Sequence, residues 1–415
     1  MASAGTPTVC MACSGPDCDF KPLETTRRAV GDFDVAVDMK FCGVCHSDLH
    51  FARGDMMGMA GMIPLSKAYP MVPGHELAGV VSAVGSKVEK FKVGDQIGIG
   101  CFVDSCLKCG NCKAGKDNYC MDAVLTYHCK VEGKLAKRGR ANLGPDAPAW
   151  TLGGYSTKMV VHERFATPVP QSYPLKYVGP MMCAGVTMWS PLCQFKIGAG
   201  SKVAVVGLGG LGMLGIQLAK ALGASVTAIS RSTKKKELAM KLGATDYVVS
   251  GESREIAANK GKFDLIMNTI PSYPNWRLYH PLVAKGGNQC LLGISAEQFP
   301  ATMMTQFMGL KRSLTGSGIG SIKESIELIE FADKHKIYPE VELFDAKQLN
   351  EVYTKLNENA DGLRYVMDTD TIQPGVDCGK APTISPKPTK KDVIRPGNVF
   401  PKLLWYLLFG PGKKK

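Results

Sequence analysis

The stretch VAVVGLGGLGMLGIQLAKALG, residues 203–223, connects a run of apolar, largely β-branched residues to a helical pattern through a glycine-rich turn. Gly207, Gly209 and Gly212 have the spacing G-x-G-x-x-G. The first glycine permits a tight turn, the second lets the backbone approach a pyrophosphate, and the third allows the helix to lie close to the strand. Free amide groups at the start of the helix favour the same anion. The predicted dinucleotide-binding loop consists of Gly207, Leu208, Gly209, Gly210, Leu211 and Gly212.

The residues around this loop predict an α/β fold. Short apolar runs recur between longer helical patterns, at SVTAIS (225–230), TDYVVS (245–250), FDLIMNTI (263–270) and QCLLGI (289–294). This alternation predicts a Rossmann fold, a doubly wound parallel sheet with helices on both faces, which we assign to residues 184–320. Residues 1–183 contain alternating runs between turn residues, such as DFDVAVDMKF (32–41), and predict a separate β-rich domain.

The end of the second predicted strand indicates which dinucleotide binds. A site for NAD places Asp or Glu there, where it accepts a hydrogen bond from the ribose 2′-hydroxyl. The chain instead has Ser230, Arg231 and Ser232, followed by Lys235. Hydroxyl, guanidinium and ammonium groups bind a 2′-phosphate through charge-assisted hydrogen bonds. We therefore predict NADP(H) as the cofactor, and a solvated basic patch at a helix start is the alternative.

A second local pattern is CLKCGNCKAGKDNYC (106–120), in which four cysteines have the spacing C-x2-C-x2-C-x7-C. Four thiolates complete a tetrahedral structural zinc site, so Cys106, Cys109, Cys112 and Cys120 are predicted zinc ligands. An iron–sulfur cluster or free thiols are the alternatives. The start of the sequence has no basic region followed by an apolar run, so we expect a reducing, cytoplasmic location for its 15 cysteines.

The formal net charge of +13 is concentrated in a C-terminal tail. Residues 371–415 hold nine of the 50 basic residues and two of the 37 acidic ones, together with seven prolines. We expect this tail to be largely unpacked, and we expect no nucleic-acid partner for the folded part. Its apolar run LLWYLLF (403–409) is shorter than the roughly 20 residues of a membrane span, so no transmembrane segment is predicted. Docking on the chain itself, or a peripheral membrane or partner contact, are the alternatives for this run.

Several further motifs, taken together in this order, identify a family. They are CGVCHSDLH (42–50), GHELAGVVSAVGSKV (74–88), the four-cysteine stretch, LGGYS (152–156), CAGVTMWSPL (183–192), the glycine-rich turn and LTGSGIGSIKE (314–324). From about residue 15 to 370 the chain resembles the zinc-dependent medium-chain alcohol dehydrogenases, and within them the cinnamyl alcohol dehydrogenase group. The resemblance implies that the β-rich domain is GroES-like and is completed by residues 321–370. It also implies an active site in the cleft between the domains, and a homodimer.

The resemblance assigns roles to individual residues. Cys45, His75 and Cys183 would hold a catalytic zinc, with Glu76 beside them as a supporting or alternating ligand, so that each chain binds two zinc ions. Ser47 and His50 would relay the proton while a hydride passes between the substrate and the nicotinamide. Contacts to the nicotinamide half of the cofactor would come from Thr187, Thr269, Gly293, Ser317, Gly318 and Ile319.

The expected reaction is reversible hydride transfer between NADP(H) and a primary alcohol or its aldehyde, aromatic (cinnamyl-type) or medium-chain. Leu125 stands where many lignin-type relatives carry Trp. The Met-rich segment 51–71 and the segment 128–150 are both longer than usual. A zinc polyol dehydrogenase and a zinc-free quinone reductase are enzymatic alternatives; a zinc-finger-like nucleic-acid binder and an inactive structural protein are the others. The remaining thiols are expected to be small buried groups at Cys42, Cys101, Cys129, Cys193 and Cys290, and incidental ones in a frayed N-terminus at Cys10 and Cys13.

Overall fold

A computed structural model describes residues 5–54, 69–131, 149–271, 276–293, 305–358 and 363–384. The first part of the chain is β-rich. Its strands are β1 (Thr6–Cys13), β2 (Phe20–Arg27), β3 (Asp34–Gly43), β4 (Leu77–Val84), β5 (Gln96–Ile99), β6 (Phe102–Asp104), β7 (Val124–Leu125), β8 (Lys158–His162) and β9 (Thr167–Pro168). Strand β3 pairs antiparallel with both β4 and β8. Two short helices, α1 (His46–Arg53) and α2 (Gly110–Lys113), project from this β-rich domain.

One helical segment leads out of the β-rich domain. It consists of α3 (Val178–Pro180), a π-helical turn (Met181–Gly185) and α4 (Val186–Gln194). A π-helical turn inserts an extra residue into the helix, and such turns are frequent at functional sites. The residues of this turn are all buried, so their placement is fixed by packing from both domains.

A six-stranded parallel sheet follows. Its strands are β10 (Lys202–Val206), β11 (Ser225–Ser230), β12 (Asp246–Val249), β13 (Phe263–Asn268), β14 (Val283–Leu291) and β15 (Ser313–Gly316). The connecting helices are α5 (Gly210–Ala221), α6 (Lys236–Lys241), α7 (Ser253–Ala258), α8 (Trp276–Tyr279) and α9 (Thr305–Met308). The strand order β12-β11-β10-β13-β14-β15 reverses at β10, next to the glycine-rich loop. The predicted doubly wound α/β fold is thereby confirmed.

The last part of the chain returns to the first sheet. It contains α10 (Ile322–His335), β16 (Val341–Asp345), α11 (Leu349–Glu358) and β17 (Arg364–Asp368). Strand β17 pairs antiparallel with β3, so the sheet has the order β16-β17-β3-β4-β5-β9. Pairing with β3 places the start of β17 beside the segment that follows β3, where the CGVCHSDLH motif lies.

Two expectations about individual cysteines were wrong. Cys10 and Cys13 are not in a frayed terminus, because both lie in β1 and are fully buried. Cys193 is exposed. The predicted unpacked tail stays a prediction, because 385–415 lie outside the described residues, as do most of the two lengthened segments; within 371–384, Ile372 and Cys378 are buried and most of the other residues are exposed. Among the described residues, none of the helices has the length and apolar character needed to cross a membrane.

A buried arginine holds the β-rich domain together. Arg27, at the end of β2, is fully buried, and it donates to the carbonyls of Leu152 and Gly153 at 2.7 Å and of Lys158 at 3.0 Å. It also donates to the Ser156 hydroxyl at 2.7 Å. Burial lowers the pKa of Arg27. One guanidinium thus satisfies the carbonyls of the LGGYS segment that β-sheet pairing leaves open.

We expect Arg27→Met to lower the free energy of unfolding by about 3 kcal/mol, because the carbonyls of Leu152, Gly153 and Lys158 each lose a charged donor. Lys21→Met is the matched control, since Lys21 lies on the same strand with 73% of its side chain exposed. The control should change stability by less than about 0.5 kcal/mol. Denaturant titration of both variants measures the difference, and equal losses would contradict the structural role of Arg27.

Candidate active site

The site is built around the buried carboxylate of Asp48. Cys45 follows β3 and caps α1, and its amide donates to Asp48 Oδ2 at 2.9 Å. The other oxygen of Asp48 accepts from the Gly74 amide at 3.2 Å and lies 3.0 Å from His75 Nδ1. With Nδ1 engaged in this way, Nε2 of His75 is the nitrogen available to a metal. It lies 3.2 Å from the Cys183 sulfur.

Four potential ligands converge here. Cys183 reaches the site from the π-helical turn, and the ligand atoms of Cys45, His75, Glu76 and Cys183 all lie within 4.8 Å of one another. A hydrogen bond from Cys183 lowers the pKa of Cys45 well below its usual value, and His75 lowers it further. A thiol with a lowered pKa is prepared to bind a metal as thiolate.

The Glu76 carboxylate supports a cation at this position. It is fully buried; Oε1 pairs with Arg364, and Oε2 has no hydrogen-bond partner among the described residues. A buried carboxylate oxygen without a partner costs free energy unless a cation or donor is near. Two thiols, one imidazole and this oxygen fit zinc, whose catalytic sites commonly use three protein ligands and leave one open position.

The four-cysteine stretch forms a separate lobe at the surface. Cys112 Sγ lies 3.7 Å from that of Cys106 and 3.5 Å from that of Cys109, close to the roughly 3.8 Å edge of a tetrahedron with 2.3 Å Zn–S bonds. The Cys106 amide points to Cys120 Sγ at 3.4 Å. A hydrogen bond from the Lys108 backbone lowers the pKa of Cys106 to about 6. The lobe therefore fits a closed zinc site.

The two predicted relay residues lie on α1. Ser47 Oγ is 3.7 Å from Cys45 Sγ, at the edge of the ligand cluster. His50 is half-buried one turn further along the helix, and residues three apart lie on the same helix face. Ser47 and His50 thus lie on the same face of α1.

The predicted dinucleotide loop lies between β10 and α5. Gly207 has φ of 89°, which glycine adopts without strain, and a Cβ at Gly212 would collide with the Gly207 carbonyl. Lys235 Nζ donates to the Leu208 carbonyl at 3.0 Å and so covers the loop. Ser230 ends β11 and is followed by the exposed Arg231 and Ser232.

The residues assigned to the nicotinamide half lie at the ends of three strands of the parallel sheet and on α4. Thr269 follows β13 and donates to the Val206 carbonyl at 2.9 Å. Gly293 follows β14, and the segment Ser317–Ile319 follows β15. Thr187 is buried in the first turn of α4. The carboxyl ends of parallel strands are where ligands bind in this fold.

Sequence reasoning missed three residues at this site. Arg364, at the start of β17, pairs with Glu76, and a Cβ at Gly210 would collide with its side chain, so it contacts both the ligand cluster and the dinucleotide loop. Asp48 was not singled out, although metal-binding histidines commonly bond a carboxylate. Cys101, expected to be only a small apolar residue, shares a hydrogen bond with Cys183. Arg364 gave no local signal, because its partner is 288 residues away.

Comparison with known proteins identifies the two domains. The family model "Alcohol dehydrogenase GroES-like domain" matches residues 31–171, and "Zinc-binding dehydrogenase" matches residues 210–334. Aldehyde reductase YahK of Escherichia coli K12 is 40% identical over 355 residues, which cover 85% of this chain and 95% of the relative.

Solved structures give the same result. A cinnamyl alcohol dehydrogenase of Sorghum bicolor, SbCAD4, has a TM-score of 0.80 at 32% identity and covers 89% of this chain and 99% of its own. A cinnamyl alcohol dehydrogenase of Helicobacter pylori in complex with NADP(H) has a TM-score of 0.78 at 35% identity, over 89% of this chain and 100% of its own. The chain belongs to the zinc-dependent medium-chain alcohol dehydrogenase family, in its cinnamyl alcohol dehydrogenase-like group.

Proposed function

We propose that this chain transfers a hydride reversibly between NADP(H) and a primary alcohol or its aldehyde, using a zinc ion held by Cys45, His75 and Cys183. The observation that carries this proposal is the convergence of these buried ligands beside Arg364, which also contacts the dinucleotide loop. Substrate oxygen and nicotinamide would thereby meet in one cleft. The relatives named as aldehyde reductase and cinnamyl alcohol dehydrogenase support the same class of reaction.

When bound, zinc supplies a Lewis acid that polarises the oxygen of an alcohol or carbonyl. In our proposal the chain's own residues orient the ligands, compensate charge and move the proton. Asp48 orients His75 and the Cys45 amide, and Arg364 compensates the charge of Glu76. During alcohol oxidation Ser47 would accept the hydroxyl proton at Oγ and pass it toward His50, and a bound NADP(H) would supply the hydride-transfer chemistry.

The substrate in this proposal is an aromatic or medium-chain aldehyde, with polyols as the alternative. The Tyr127 ring is stacked on His75 with centroids 5.6 Å apart, and Phe51 packs edge-on against Tyr127 at 5.2 Å. These rings form an apolar wall next to the predicted zinc ligand, which favours apolar substrates over polyols. Leu125 packs against the hydrophobic core that contains Tyr127, and it leaves more room than a Trp would.

We further propose a homodimer and a cytoplasmic location. Strand β15 ends the six-stranded sheet and pairs only with β14 among the described strands, so its other edge is open to pairing. Met308 and Leu310, just before β15, are 71% and 41% exposed. A two-fold axis perpendicular to the strands at this edge would pair β15 antiparallel with its copy and cover both side chains. The fifteen cysteines are all free thiols, as in reducing compartments.

We expect Cys45→Ala to abolish NADPH-dependent reduction of a panel of aromatic and medium-chain aldehydes, and to lower the metal content from two zinc ions per chain to one. NADPH binding should remain, because Cys45 is not one of the residues predicted to bind the cofactor. Cys193→Ala is the control: this exposed thiol is in neither ligand set and should retain both zinc ions and full activity. Full residual activity of Cys45→Ala would refute the catalytic zinc assignment, and a preference for polyols in the wild type would refute the substrate class.

Arg231→Ala should raise the KM for NADPH by about 10- to 100-fold and change the KM for NADH little, because only the 2′-phosphate loses a charge-assisted hydrogen bond. Lys241→Ala removes an exposed cation at the far end of α6 and serves as the control. Steady-state kinetics with both cofactors makes the comparison. An equal effect of Arg231→Ala on the two cofactors would contradict recognition of the 2′-phosphate.

Light scattering should give about twice the chain mass of 44.6 kDa for the wild type. The double variant Met308→Lys, Leu310→Lys should shift the protein toward the monomer, because four lysines would then face each other across the two-fold axis. Met240→Lys is the control, since Met240 is 40% exposed on α6, away from β15. A monomeric wild type would rule out the proposed dimer.

A further inference from the structure

The lobe that contains the four cysteines (106–120), called the zinc lobe below, contacts the segment Ser317–Ile319 of the other domain, which is predicted to bind the cofactor. Asn118, in the 3-10 turn between Cys112 and Cys120, donates from Nδ2 to the Gly318 carbonyl at 3.3 Å. A Cβ at Gly115 would lie 3.9 Å from Lys323 in the first turn of α10. The lobe therefore lies against both the Ser317–Ile319 segment and the helix that follows it. A closed zinc site with no open position has no chemistry of its own here, so this contact is a candidate for its function.

The segment that the lobe contacts is strained. Ile319 has φ of 59°, in the left-handed region that β-branched residues rarely adopt. Its side chain packs against the hydrophobic cores of both domains. Such a conformation persists only where the surroundings enforce it, and such residues are common at ligand clamps.

The segment is held on its two flanks by residues close to it in the chain or in the sheet. Upstream, the Ser317 amide donates to the Leu291 carbonyl at 3.3 Å. Downstream, Ser321 and Glu324 form a capping box at the start of α10, and Ser190 donates to Glu324 at 2.8 Å. Between these two points, the Gly318 carbonyl is held from outside by the lobe. The bond from Asn118 thus acts at the middle of the strained turn.

The lobe itself is firmly anchored, so it can transmit this restraint. Arg164, which follows β8, donates to the Asp117 carboxylate and to the Cys112 carbonyl. The Ser105 hydroxyl donates to Asp117 at 2.9 Å and lies 3.2 Å from Cys112 Sγ. Asp117 directly precedes Asn118, so the β-rich domain fixes the position from which Asn118 reaches Gly318.

Two orphaned polar atoms lie at the same contact. Asn118 Oδ1 and Ser317 Oγ are both buried, and neither has a hydrogen-bond partner among the residues the structure describes. One is an acceptor and the other can donate. A hydrogen bond to either atom would relieve the cost of an unsatisfied buried group.

We propose that Asn118 is a positioning residue through which the zinc lobe holds Ser317–Ile319 in the conformation that binds the nicotinamide half of NADP(H). The inference rests on the proposed function, because it takes these three residues as cofactor contacts. Its consequence is specific: the lobe sets cofactor affinity, in addition to stabilising the chain. Breaking the contact should weaken NADPH binding and leave turnover at saturating NADPH and the two bound zinc ions unchanged.

The test compares Asn118→Ala with Asn111→Ala in the full-length, zinc-loaded protein. Asn111 lies in the same lobe and donates to the Tyr119 carbonyl at 2.7 Å, so its loss removes a bond within the lobe and spares the contact with Gly318. Fluorescence titration should give a two- to tenfold higher Kd for NADPH with Asn118→Ala, which is the effect of one net hydrogen bond. Hydrogen exchange over 313–320 should be faster in Asn118→Ala alone, with kcat within about twofold of the wild type.

Three results would overturn the proposal. An unchanged Kd with unchanged exchange means that the lobe does not hold the segment. Loss of zinc from Asn118→Ala means that Asn118 acts on the lobe itself. Faster exchange with an unchanged Kd means that the segment is held but does not bind the cofactor. Failure of the proposed function is distinct from all three, because the wild type would then bind no NADPH.

Discussion

The buried carboxylate of Asp48 is the constraint on which the active site depends. It accepts hydrogen bonds from the Cys45 and Gly74 amides and engages Nδ1 of His75, so it joins the two segments that contain the proposed zinc ligands Cys45 and His75. The Tyr155 hydroxyl completes its shell. Because an unpaired buried charge is costly, a carboxylate at this position fixes the two ligand segments relative to each other. The π-helical turn then needs only to bring Cys183 to a site that is already formed.

The path of the chain explains how the ligand cluster and the glycine-rich loop come together. Strand β17 returns to pair with β3, and its first residue, Arg364, thereby lies between Glu76 and Gly210. The Arg364 side chain, from the last strand of the fold, thus contacts both Glu76 in the ligand cluster and Gly210 in the glycine-rich loop. The zinc lobe makes a second contact across the cleft, from Asn118 to Gly318. Both contacts connect segments that we propose bind the cofactor to the β-rich domain, through hydrogen bonds or packing.

The sequence predicted what depends on local spacing. The glycine-rich loop and the four-cysteine lobe are each contained in one short stretch, whose spacing alone indicates the site, so both could be recognised directly. Arg364 and Asn118 could not, because their partners are 288 and 200 residues away and no periodicity marks them. The burial of Cys10 and Cys13 was missed for a similar reason: β1 is covered by distant parts of the fold, which a local pattern of polar and apolar residues does not reveal.

X-ray absorption and anomalous diffraction at the zinc edge test the central claim most directly, because they report the ligands of each ion without reference to activity. The account predicts two ions per chain. One has four sulfur ligands from Cys106, Cys109, Cys112 and Cys120, and the other has two sulfurs and one imidazole from Cys45, Cys183 and His75, with an oxygen in the fourth position. A single ion bound only by sulfur would contradict it, as would a second ion bound away from Asp48.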